Sequence, residues 1–197
     1  MLSSLCKNVG YTNADITVYC DGPRDNDDLE DVLATRKIVR EFLPEANIVE
    51  REENMGLARS IISGVSEQCK KYGRVIVLED DLILSPVAIN YFNQGLERYS
   101  ESEKVMHISA YMFPVNQTLP SSFFYREATC WGWATWERAW QYFESDSEVI
   151  LDYVLKNKLS YEFDIEDSMY FLSMLRRQLK GELDSWEIRW YGSMFMQ

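Results

Sequence analysis

Hydrophobic positions along the first 110 residues follow two rhythms in turn. Short apolar runs at 15–20, 47–51, 74–79 and 105–109 predict strands. Between them apolar residues recur at helical spacing. Over 29–43 they fall at positions 29, 32, 33, 39, 42 and 43, and Pro44 ends the run. Leu57, Ile61, Ile62, Val65 and Cys69 mark a second amphipathic helix. Pro86 opens a third, carried by Ile89, Tyr91, Phe92 and Leu96. Strands alternating with helices predict an α/β fold, a mostly parallel sheet flanked by helices with ligands at the carboxyl ends of its strands.

The C-terminal third changes rhythm and reads as helices over about 134–143, 148–158, 167–180 and 183–195. No internal repeat, low-complexity stretch or Pro/Gly linker divides the chain, so 1–197 is expected to be a single domain with this helical part packed onto the sheet. Both ends look abrupt. "MLSSLCKNVG" has the form of a helix end with its glycine stop and no strand before it, and the last helix runs uncapped to Gln197. The expectation is a fold truncated at both ends.

Composition narrows the function. At 197 residues and 46% hydrophobic content, with 6 Trp, 12 Tyr and 9 Phe, the chain can bury a real core. Its formal charge of −12 argues against nucleic acid as a partner, because phosphate backbones demand a surplus of Lys and Arg. A metal ion would still let so acidic a chain hold one phosphate-bearing small molecule. Cys6, Cys20, Cys69 and Cys130 form no CxxC pair, and with no signal peptide they read as free thiols in a reducing, cytoplasmic compartment. His107, the single histidine, alternates with apolar neighbours and reads as structural. No apolar run approaches the ~20 residues of a membrane span, which leaves peripheral association with the inner membrane face open.

Four clusters carry candidate chemistry. "VIVLEDD" places Glu79, Asp80 and Asp81 directly after a buried aliphatic strand. Adjacent anions repel one another and resist burial, so they are either hydrated or gathered around a cation. In extended chain Glu79 and Asp81 share a face, with Asp80 opposite. In "CDGPRDNDD", Asp21 also ends a strand, while Asp25–Asp28 precede a helix whose positive terminus favours acids. In "CWGWATWERAW", Trp133, Trp136 and Trp140 fall on one helical face; Trp136 and Trp140 read as core. Trp131 and Trp133 read as loop indoles suited to stacking on a sugar. In "ELDSWEIRW", Asp184 or Ser185 can cap a helix, and Asp184 can also act as a base, with Glu182 and Glu187 as neighbouring alternatives.

Taken in order, "VIVLEDDLILSP", "HISAYMFP", "FYREATCWGWATWERAW" and "DSWEIRWYGSMF" resemble a bacterial GT-A sugar transferase. They are similar, more distantly, to the N-acetylglucosaminyltransferase I family. The resemblance implies a GT-A, Rossmann-like fold with a nucleotide-binding part over about 1–110 and an acceptor-side part over about 111–197. It implies a metal-dependent, inverting glycosyltransferase using Mn²⁺ or Mg²⁺ and a nucleotide-sugar donor, a UDP-sugar, in cell-envelope glycan synthesis. The acceptor is a carbohydrate or lipid-linked hydroxyl. Carried across by position, Asp81 matches the direct metal ligand, and Glu79 and Asp80 match contacts to metal waters, ribose or donor sugar. Asp21 and Arg59 match nucleoside contacts, and Asp184 matches the base. Two other readings stand beside it: a non-catalytic nucleotide-sugar- or glycan-binding remnant, and a nucleotidyltransferase. The latter normally shows a Gly- and Lys/Arg-rich phosphate loop that is not visible here.

Overall fold

The four predicted strand segments all form in the computed structural model, which describes residues 1–197. They are β1 (Thr17–Cys20), β2 (Asn47–Glu50), β3 (Arg74–Val77) and a two-residue β4 (Ile108–Ser109). After a short α1 (Leu2–Cys6), the amphipathic patterns form α2 (Leu29–Phe42), α3 (Leu57–Tyr72) and α4 (Ala88–Arg98). The molecule is mixed α/β.

β1 and β2 pair in parallel, Thr17 opposite Asn47 through Cys20 opposite Glu50, as a helical crossover requires. β3 departs from that pattern. It pairs antiparallel with β5 (Trp133–Trp136), which also pairs antiparallel with β4 and so lies between them. The expected mostly parallel sheet is therefore replaced by two small sheets, one parallel and two-stranded, one antiparallel and three-stranded.

The cause lies in residues 133–136, where the tryptophan spacing predicts the start of a helix and the chain is extended. Only α5 (Glu137–Trp140) of the predicted 134–143 helix is helical. Trp133 joins one core with Val75 and Val77, while Ala134 and Trp136 join another with Ile76. All four residues of β5 are buried. A strand buried on both faces shows no polar alternation, and two tryptophans three apart imitate a helical stripe.

The outer edges of β1 and β3 have no strand partner, yet α3 packs against both strands. Gln68 of α3 donates to the Tyr19 hydroxyl at 2.6 Å, and Val65 and Cys69 share a core with Val75 and Val77. In a separate core, Ile16, Val18, Leu78 and Leu84 pack around Leu5, Leu43 and Ile89. α3 ends on Gly73, whose left-handed backbone (φ 74°) caps the helix and turns the chain directly into β3.

The C-terminal part forms α6 (Ser147–Lys156), α7 (Ser160–Phe163), α8 (Phe171–Leu179) and α9 (Trp186–Phe195). Ile150, Val154, Leu175 and Ile188 make their common core. α9 also reaches the first core through Trp186 and Trp190, which anchors its opening turn beside the end of β3. The predicted 167–180 helix starts late because Ile165, Glu166 and Asp167 all have positive φ. No helix is long and apolar enough to cross a membrane.

Candidate functional site

Beyond β3 the acids separate by burial: Glu79 is partly buried, whereas Asp80 and Asp81 are exposed. Burial pushes the Glu79 carboxyl up to about 7, and the charges of Asp81, Glu187 and Asp80 add to the effect. Glu187 enters this group from the first turn of α9. Burial raises its carboxyl too, opposed by hydrogen bonds from Cys130. Glu127 is raised by burial and then by the charge of Glu187. Burial and the neighbouring Glu187 push the Cys130 thiol up to about 12. Three segments thus bring acids within electrostatic reach of one another: the end of β3, the approach to β5 and the start of α9. Their mutual repulsion is highest when all are ionised, the condition a cation relieves.

A cavity of about 440 Å³ opens beside them. Asp81 and Ser85 supply polar groups to its wall, and Leu84, Phe92, Tyr111 and Trp131 supply apolar ones. The Trp131 and Tyr111 rings meet edge-on with centroids 4.6 Å apart, and Phe113 backs Trp131 at 5.6 Å. Trp131 keeps 43% of its surface exposed. Asp81 and Trp131 were singled out for different chemistry, and the fold puts them in one cavity.

Trp133 does not join them. It is fully buried, with its ring stacked on His107 at 5.3 Å and on Trp186 at 5.1 Å. Its placement in a loop with an exposed indole is corrected: β5 turns it into the core. Trp136 and Trp140 are buried as expected. His107 is structural, its Nδ1 accepting from the Trp190 indole at 3.2 Å, and burial depresses it to about 4.

Asp21 and Arg59 converge on one loop at the end of the parallel sheet. The Asp21 carboxylate accepts from the backbone N–H groups of Gly22 (3.0 Å), Met55 (2.8 Å) and Gly56 (3.0 Å). Asp21 therefore works first as a clamp between the β1 end and residues 53–56. Gly22 is required there, since a Cβ would lie 2.5 Å from the Glu53 carbonyl carbon. Arg59 Nε donates to the Met55 carbonyl at 2.8 Å. Upstream of α2, Asp25 accepts from the N–H groups of Asp27 and Asp28, and Asp28 pairs with Arg24, so these acids serve the helix approach.

Asp184 lies outside the acidic group. Its carboxylate pairs with Arg189 at 2.7 Å and its side chain is 68% exposed. The cap of α9 is Ser185, which accepts from the Ile188 N–H. Glu187, two residues beyond the cap, is the C-terminal acid whose charge reaches Glu79. Its sequence signal is its position one residue after Trp186, a core residue that pins the turn.

No three His, Cys, Asp or Glu side chains converge as a ready-made metal cage. Magnesium-type sites use one or two carboxylates and complete their shell with ligand phosphates and water. Exposed Asp81 on the cavity wall, with Asp80 beside it, fits that donor set. Comparison of the chain with family models, curated proteins and solved structures gives no match.

Proposed function

We propose that the protein is a metal-dependent, inverting glycosyltransferase of GT-A type that moves a sugar from a nucleotide donor, a UDP-sugar, to a carbohydrate or lipid-linked hydroxyl. The observation that carries this reading is the cavity shared by the Asp81 carboxylate and the exposed Trp131 ring, with the partly buried Glu79 within electrostatic reach of both Asp81 and Glu187. The succession β1–α2–β2–α3–β3, with acids directly after its last strand, supports the GT-A assignment.

In this reading Asp81 would hold Mn²⁺ or Mg²⁺, with Glu79 and Asp80 available to the hydroxyls of the donor. The bound cation supplies charge compensation for the departing nucleoside diphosphate. The loop clamped by Asp21, with Arg59, lies along the nucleoside, and Trp131 with Tyr111 offers the sugar an apolar face. The proton of the acceptor hydroxyl goes to Glu187. Burial raises its carboxyl, which makes it a stronger base than an ordinary carboxylate. Asp184 is second choice because Arg189 already pairs with it. Attack from the side opposite the leaving group inverts the anomeric centre. The setting is cytoplasmic, on precursors of cell-envelope glycan.

The test is release of nucleoside diphosphate from a panel of nucleotide sugars with Mn²⁺ and a glycan acceptor. Glu187→Gln is expected to lower turnover roughly 10²–10⁴-fold while UDP still binds. Wild-type turnover in Glu187→Gln, with loss in Asp184→Asn, returns the base to Asp184. Metal-dependent binding with no transfer from any donor favours a non-catalytic binding protein.

A further inference from the structure

Arg51, just past the end of β2, has no counter-ion. It forms no ion pair, its Nε and Nη2 are buried without any hydrogen-bond partner, and its guanidinium lies over the Tyr19 ring, 5.4 Å from the centroid. The ring contact accounts for the position but leaves both N–H groups unsatisfied, and buried unpaired charge is costly.

The acids at the ends of β1 and β2 are engaged elsewhere, and Glu52 and Glu53, which follow in the chain, are exposed and pair with neither arginine. Asp21 accepts three backbone N–H groups, and Glu50 pairs with Arg40 and Arg36. Arg36 itself donates to the Asp21 and Arg51 carbonyls at 3.0 and 2.6 Å. Arg59, across the same loop, is also without a carboxylate partner, its Nε held by the Met55 carbonyl. Between the two arginines Gly56 takes positive φ (73°), and nothing lies within 4 Å of the place a Cβ would occupy. In a chain of net charge −12, two guanidiniums without ion-pair partners stand at either end of residues 52–58, where the backbone at Gly56 is open.

We propose that Arg51, with Arg59 across the loop, is an anion site that takes a phosphate group of a small molecule without the help of a metal. A phosphate oxygen accepts from the guanidinium and supplies the missing counter-charge, the arrangement for which arginine's fork is suited. The site belongs to the parallel sheet and does not use Asp81. If the transferase reading holds, the phosphate is the donor's; the anion site itself stands without that reading.

The experiment is calorimetric titration of the whole chain with inorganic pyrophosphate in EDTA, with UDP titrated in parallel to distinguish a nucleotide from a free phosphate source. The wild type is expected to bind pyrophosphate. Arg51→Met is expected to weaken binding roughly tenfold to a hundredfold, the usual loss for a charged hydrogen bond, and to keep or raise the ligand-free melting temperature. Because EDTA removes any metal held at Asp81, a failure of the metal reading and a failure of this one look different. If Arg51→Met does not fold, Arg51→Lys, which keeps the charge and loses the fork, should bind more weakly than wild type. No pyrophosphate binding by the wild type, or unchanged affinity in a folded Arg51 variant, overturns the proposal.

Discussion

At the scale of single residues, Glu79 couples the acidic group to stability. Its folded carboxyl titrates at about 7, above the ~4.3 of an unfolded glutamate. The native state therefore keeps a proton that the unfolded chain releases. The stabilisation this gives is complete below about pH 4 and is lost as pH rises through 7. The melting temperature of the metal-free protein should fall between about pH 4 and 7, and Glu79→Gln should flatten that fall. An identical slope in the variant would mean Glu79 is not the group responsible. The tryptophans provide a second check. Trp133→Ala should cost about 3–5 kcal/mol in urea denaturation, as large core truncations do. Trp131→Ala should change stability far less and weaken sugar binding. Loss of folding in Trp131→Ala with intact folding in Trp133→Ala would reverse the assignment of core and cavity.

At the scale of elements, the loop between β2 and α3 depends on Asp21 more than on its own sequence. Removing that carboxylate leaves the Met55 and Gly56 N–H groups without acceptors, so Asp21→Ala should cost about 1–3 kcal/mol. Gly22→Ala should act at the same place by steric means, lowering both the melting temperature and nucleotide affinity. Wild-type stability in both variants would show that the clamp is unimportant. These elements also mark how far the sequence could be read. α2, α3 and α4 were legible because each presents one apolar face at helical period, and the first three strands because each is a short apolar run set between helical patterns. β5 was not, because burial on both faces removes the period and its tryptophans mimic a helical stripe. Its misreading carried the parallel sheet and the exposed Trp133 with it. The triplet after β3 was legible as chemistry, since three acids after an aliphatic strand have few structural uses. Glu127 and Arg51 were not, because their significance lies in neighbours brought from distant segments, and Glu187 was legible only as an alternative to Asp184.

At the scale of the molecule, two small sheets share α3, and acids from three segments stand within electrostatic reach of one another, Asp81 on a cavity wall, in a chain of net charge −12. So negative a surface repels a nucleoside diphosphate unless a cation stands between them or an unpaired arginine receives it. In the proposed reading Asp81 places that cation at the cavity. This placement is tested most directly by calorimetric titration of UDP into wild type and Asp81→Asn, each in Mn²⁺ and in EDTA. Wild type is expected to bind at least tenfold more tightly in Mn²⁺ than in EDTA, with the increment abolished in Asp81→Asn and only reduced in Asp80→Asn. Equal affinity of the wild type in Mn²⁺ and EDTA, or a full increment in Asp81→Asn, would contradict it.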